Sequence, residues 1–62
     1  MQTILKHRNS AVVINHQEGN VWACLYVNAR GGDVMDWDIT NLRWSGRTMK
    51  GAVKWATKQL GA

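Results

Sequence analysis

The feature that most constrains the fold is a change in hydrophobic period along the chain. Up to Ile39 the apolar residues lie in short β-branched and aromatic runs or alternate with polar residues, whereas after Thr48 they recur at helical spacing. Short runs of the first kind form strands, and the second spacing forms an amphipathic helix. The chain is therefore predicted to make a sheet first and one helix last.

Three segments before the helix have the composition of strands. The runs SAVVINH and NVWACLYVN flank HQEGN, whose Gly19 suits the positive φ of a tight turn, so together they predict a β-hairpin. After the ARGGD break, VMDWDI alternates apolar and acidic residues, which predicts a third strand. The opening TILKH forms either a further strand or an extension of the first.

The helix is predicted to run over residues 48–60. Thr48 or Ser45 is a suitable N-cap, and Gly61 is a suitable end. The predicted apolar stripe consists of Met49, Ala52, Val53, Ala56 and Leu60. Gly51 costs roughly 0.5–1 kcal/mol relative to alanine inside a helix, which indicates close packing or room for a neighbouring tryptophan.

These elements predict one α+β domain over residues 1–62. An antiparallel meander of three or four strands is followed by one C-terminal helix packed on one sheet face. The residues expected beneath the helix are alternate ones of the central and third strands: Val21, Ala23, Leu25, Val27, Met35, Trp37 and Ile39. Trp44, just before the helix, is expected to cover the end of the core.

The other face of the central strand is also apolar. Trp22, Cys24 and Tyr26 point there, and a single helix cannot cover both faces. This face is expected either to pack in a homodimer or to offer Trp22 and Tyr26 as a platform on which nucleic-acid bases stack.

The composition also indicates the cellular compartment in which the protein is expected. A single cysteine excludes an internal disulfide framework, which favours a reducing compartment. The opening MQTILKHRNS has no apolar segment of signal-peptide length, and no stretch approaches the roughly 18 apolar residues of a membrane span. A soluble cytoplasmic protein without a membrane partner is expected.

Positive charge is concentrated at the C-terminal end. Residues 1–42 carry three cations and four anions, whereas residues 43–62 carry five cations and no anion. The five cations are Arg43, Arg47, Lys50, Lys54 and Lys58. Such a segment attracts nucleic acid or an acidic protein partner. Trp55, at the edge of the predicted apolar stripe, is a further candidate for stacking or partner contact.

Residues that could support catalysis or bind a metal are isolated. His7 and His16 have no partner at metal-ligand spacing, and Cys24 lies in mid-strand. Asp36 and Asp38 form a D-x-D pattern, which is interpreted as protection of a strand edge rather than as a cation site. We therefore expect no catalytic residues, no metal, no cofactor and no enzymatic activity.

Two functions follow from the sequence as hypotheses. The first is a non-enzymatic nucleic-acid-binding module that uses the basic helix. The second is a small protein-interaction module, of the inhibitor or adaptor kind that phage genes encode, which binds an acidic partner or self-associates through its sheet. The order of strands and helix resembles in outline the AP2-type and integrase arm-binding domains, and this resemblance implies a DNA-binding sheet.

Overall fold

Four antiparallel strands and one C-terminal helix make up the computed structural model, which describes residues 1–61. The elements are β1 (Gln2–His7), β2 (Ser10–Gln17), β3 (Asn20–Val27), a 3₁₀ turn (Val34–Asp36), β4 (Asp38–Gly46) and α1 (Met49–Leu60). The strands form one sheet in the order β1-β2-β3-β4, and α1 packs against one of its faces. The predicted α+β meander is confirmed, and the opening segment is a separate strand.

The turn between β2 and β3 is the one that the sequence predicts. Gln17 pairs with Asn20, so the connecting loop consists of Glu18 and Gly19. Their φ angles are 50° and 80°, both positive, as a hairpin turn that matches the twist of its strands requires. Glycine adopts this conformation without steric cost.

The predicted third strand is placed wrongly. Val34–Asp36 form a 3₁₀ turn, and β4 begins only at Asp38 and continues to Gly46. Met35 and Trp37 are therefore not strand residues, and Ile39 pairs with Tyr26 on the face away from the helix. Val34 and Trp37 of this segment pack on the outer side of the sheet, whereas Met35 and Ile39 are 43% and 52% exposed, so the alternation here does not mark a strand.

The main core lies between α1 and the sheet. Its buried residues are Val12, Ile14, Val21, Ala23, Leu25, Ala52 and Ala56. The prediction that one alternate set of β3 lies beneath the helix is thus confirmed. Trp44 packs on the edge of this core, as expected for a covering residue.

The helix has its predicted ends, and four of the five residues of its predicted apolar stripe, Met49, Ala52, Ala56 and Leu60, belong to or pack against the main core. Thr48 is the N-cap, because its Oγ1 accepts a hydrogen bond from the Gly51 amide at 3.2 Å, and Gly61 ends the helix in the left-handed conformation. Val53 is the exception, because its side chain is 39% exposed. Trp55 is partly buried and packs at the edge of the core, as predicted.

An irregularity in β4 interrupts the edge of the sheet. Ile39 pairs with Tyr26 and Arg43 with Cys24, so residues 40–42 all lie opposite Leu25. The Thr40 hydroxyl donates a hydrogen bond to the Leu25 carbonyl at 3.0 Å, which holds the bulge in place. Bulges of this kind prevent an edge strand from pairing with another chain.

Of the two aspartates predicted to protect a strand edge, only Asp38 lies in a strand, where it is the first residue of the edge strand β4. Asp36 lies in the 3₁₀ turn, and Asp38 closes the connection between β3 and β4 through Asn28 and Arg30. The pKa of the Asp38 carboxyl is lowered below its ordinary value, first because the Asn28 amide donates a hydrogen bond to it at 2.7 Å and also because Arg30 lies beside it.

Replacing Asn28 with glycine should raise the pKa of Asp38. Asn28 has φ of 60°, which glycine adopts freely, so the variant removes the donor and keeps the turn. Because the folded pKa is the lowered one, this interaction stabilises the fold above the unfolded pKa and is lost as pH falls through the folded pKa. Carboxyl NMR titration measures the change, and an unaltered pKa would assign the effect to Arg30 alone.

Candidate nucleic-acid interface

Three lysines form a row along the exposed side of α1. Lys50, Lys54 and Lys58 are spaced four residues apart, so they lie within an arc of about 80° at 100° per residue. All three are exposed. The helix carries no acidic residue in its twelve positions. We call these three residues the lysine ridge.

No acidic side chain neutralises the lysine ridge. Within residues 1–61 the one ion pair joins Arg30 to Asp38, in the connection between β3 and β4. Asp33 and Asp36 belong to the same connection, and Glu18 is at the tip of the β2–β3 turn. The ridge therefore faces solvent with its charge uncompensated.

The other two predicted cations are not on the helix. Arg47 is exposed and lies at the junction between β4 and the N-cap Thr48. Arg43 is in β4 opposite Cys24, on the sheet face away from α1, which we call the outer face. The five cations thus do not all lie on the helix. In sequence order they run from the outer face of β4, past the end of this strand, to α1.

Part of the outer face is covered by the β3–β4 connection, residues 28–37. Val34 of this connection is buried in a small apolar cluster with Ala11, Val13, Tyr26 and Trp37. The Trp37 Nε1 donates a hydrogen bond to the Arg30 carbonyl at 3.0 Å, which closes the connection on itself. The expectation that this face lies open is therefore wrong for this half of the sheet.

The remaining part of the outer face is concave and open. Trp22 is 39% exposed there and is separated from the covered Tyr26 by about 13 Å along β3. A concavity of about 270 Å³ is lined by Trp22, Cys24, Arg43 and Ser45, whose pairing places them on this face, and by Ala23 and Trp44 between them. We call this site the Trp22–Arg43 hollow.

The polar residues of this hollow are held by strand pairing. Ser45 and Asn15 are the cross-strand partners of Trp22, one on each side. An Arg43 N–H donates a hydrogen bond to Cys24 Sγ at 2.9 Å. Neither Asn15 nor Ser45 is among the predicted site residues, although the alternation in RWSG is a strand signal that places Arg43 and Ser45 on one face.

The two tryptophans near the helix have different surroundings. Trp55 is half-buried at the edge of the main core, so only part of its ring can contact a partner. The Trp44 ring lies over Gly46 and Gly51, where a β-carbon would come within 3 Å of it. The glycine in the helix thus makes room for Trp44 and not for Trp55.

The remaining candidate groups stay apart. Within residues 1–61 no three His, Cys, Asp or Glu side chains come together as metal ligands would. Over the same residues no helix has the length and apolarity needed to cross a lipid bilayer.

Comparison with known proteins adds no relative. Neither models of protein families nor curated proteins nor solved structures gave a significant match to this chain. The functional argument therefore rests on the geometry and charge described above.

Proposed function

We propose that the protein binds nucleic acid and that the lysine ridge contacts its phosphates. The single observation that carries this proposal is a row of three exposed lysines on a helix without acidic residues and without ion-pair partners in the described chain. The row is about 12 Å long at 1.5 Å per residue. That length spans roughly three phosphates of one strand of duplex DNA, which follow one another every 3.4 Å along its axis.

Helix stability alone does not account for this charge pattern. The N-terminal end of a helix favours negative side chains and the C-terminal end favours positive ones. Lys58 in the last turn satisfies this rule, but Lys50 lies in the first turn, which has no acidic residue. A solubilising surface would also mix charges in i,i+4 pairs, because such pairs support the helix. A phosphate-binding surface accounts both for the lysine in the first turn and for the absence of acidic partners four residues away.

Replacing all three ridge lysines with glutamine should weaken nucleic-acid binding and its salt dependence without unfolding the protein. Each lost phosphate contact lowers the slope of log K against log salt by about 0.9 on duplex DNA or about 0.7 on single strands. The triple variant should thus lose about 2.7 or about 2.1 from the slope. Fluorescence anisotropy with labelled oligonucleotides over a salt series measures it.

A matched pair of single variants controls for general charge. Lys54→Gln removes one charge from the ridge, and Lys6→Gln removes one exposed charge from β1. Only the first should lower the slope. If the wild-type protein binds neither duplex nor single strands at low salt, the proposal is wrong.

A protein partner is the second candidate function. Ile39 and Leu42, two large apolar side chains of the edge strand β4, are 52% and 50% exposed and are thus available for contact with a protein surface. They would contact an acidic partner or a second copy of this chain. This candidate takes precedence if the pure protein fails to bind nucleic acid.

A further inference from the structure

We infer that the Trp22–Arg43 hollow binds one unpaired nucleotide of a single-stranded nucleic acid, with its base stacked on Trp22 and a phosphate on Arg43. The inference rests on the proposed function, because the lysine ridge would hold the neighbouring phosphates of the same strand. It adds a preference for single strands, which the ridge alone does not confer.

The Trp22 ring has the surroundings of a stacking platform. It stands in the middle strand of the open half of the outer face and is 39% exposed. Its two cross-strand partners, Asn15 and Ser45, are small and polar, so neither can cover an indole. A flat apolar ring with polar neighbours suits a nucleobase, which stacks on the ring and offers polar edges to side chains around it.

Arg43 supplies the positive charge beside this platform. It pairs with Cys24 and is thus diagonal to Trp22, at the roughly 7–8 Å that separates diagonal neighbours in a sheet. A guanidinium has five N–H donors, and the hydrogen bond to Cys24 Sγ uses one of them on a weak acceptor. No carboxylate in residues 1–61 forms an ion pair with Arg43, so its remaining donors are open to an anion.

The size of the hollow limits what it accepts. About 270 Å³ is just below the range of pockets that take drug-sized ligands, so it fits one ring system rather than a large cofactor. Bases inside a duplex are stacked on one another and cannot enter such a site. The chemistry that fits the hollow is therefore an aromatic ring joined to a phosphate, as in a single strand.

One strand can reach both the hollow and the lysine ridge. Arg43 lies on the outer face, Arg47 follows the end of β4, and Lys50 is in the first turn of α1. These cations therefore continue from the outer face past the end of β4 to the start of the lysine ridge. Asp33 and Asp36 belong to the connection at the opposite end of β4 and Asp38 begins β4 at that end, whereas Glu18 lies in the β2–β3 turn.

Binding of three matched probes tests the inference. The probes are oligothymidine, a duplex of equal length and an abasic strand that keeps the phosphates. The wild type should bind oligothymidine most tightly. Trp22→Thr should weaken this binding about 5- to 150-fold, to the level of the abasic strand, because one stacked base is lost. Its salt slope and its affinity for duplex should not change, since no phosphate contact is removed.

Two further variants separate stacking from misfolding. Trp22→Phe keeps an aromatic face and should retain most of the single-strand affinity, while Arg43→Gln should lower the single-strand slope by about 0.7. Threonine is a good strand residue at an exposed position, and thermal melting verifies that each variant is folded.

Failure of this inference can be distinguished from failure of the proposed function. If the wild type binds duplex and single strands in a ridge-dependent way but Trp22→Thr binds oligothymidine as the wild type does, this inference is overturned and the proposed function stands. If the wild type binds no probe, both fail. If Trp22→Thr changes only the sedimentation of the protein, the hollow is an interface between two copies and the inference is again overturned.

Discussion

Replacing Ile14 with alanine should lower the free energy of unfolding by about 2–5 kcal/mol. Ile14 is completely buried in β2 beneath α1, and it is among the largest side chains that the core encloses fully. A chain of 62 residues has a total stability of about 3–9 kcal/mol at the usual 0.05–0.15 kcal/mol per residue. The variant should therefore lose a large share of its total stability.

The matched control for this prediction is Val53→Ala. It also shortens a β-branched side chain, but Val53 is 39% exposed and lies in a helix, where alanine is the better residue. The control should change stability by about 0.5 kcal/mol or less. Urea unfolding followed by circular dichroism gives both values, and a Val53 cost as large as that of Ile14 would contradict the orientation of α1 described here.

The elements that could be predicted are those whose sequence signals are local. The hairpin turn at Gly19, the N-cap at Thr48 and the left-handed end at Gly61 each depend on a few adjacent residues. The alternate set of β3 beneath the helix follows from the period of two in a strand. These signals can be recognised without knowing which other elements pack against the residues that carry them.

The parts that could not be predicted depend on tertiary packing. Val34 is buried because the β3–β4 connection folds over the outer face, and nothing local to VMDWDI distinguishes that arrangement from a strand. The exposure of Val53 depends on how α1 lies on the sheet, which the spacing of the apolar helix residues does not determine. The hydrophobic period predicts whether a segment is a strand or a helix, but it does not predict which other element the segment packs against.

The candidate site also has one part that the sequence predicts and one part that depends on tertiary packing. The lysine ridge is a property of one helix, so residue spacing alone predicts it. The Trp22–Arg43 hollow depends on the pairing of Arg43 with Cys24 after a bulge at residues 40–42. A shift of one residue in that pairing would turn Arg43 to the helix side of the sheet. The sequence therefore supplies the charges, and the register decides which face carries them.

Replacing Gly46 with alanine should destabilise the protein by about 1–3 kcal/mol, the usual cost of overpacking. A β-carbon at Gly46 would lie 2.5 Å from Cη2 and 2.8 Å from Cζ2 of the Trp44 ring. These distances are far inside the contact limit of two carbon atoms, about 3.5 Å at its optimum. The ring packs against the main core, so it cannot move aside without losing contacts there.

Trp44→Phe identifies the cause of this cost, because phenylalanine lacks the outer ring of the indole. Gly46→Ala should be nearly neutral in that background. Gly51→Ala gives a sharper result, since its β-carbon would lie 2.9 Å from Trp44 Cζ2 although alanine favours a helix by about 0.5–1 kcal/mol. It should therefore destabilise the wild type and cost much less in Trp44→Phe, where only the 3.2 Å contact with Thr48 Oγ1 remains. Urea unfolding of the single and double variants measures the coupling, and equal effects in both backgrounds would show that Trp44 does not set the requirement for glycine.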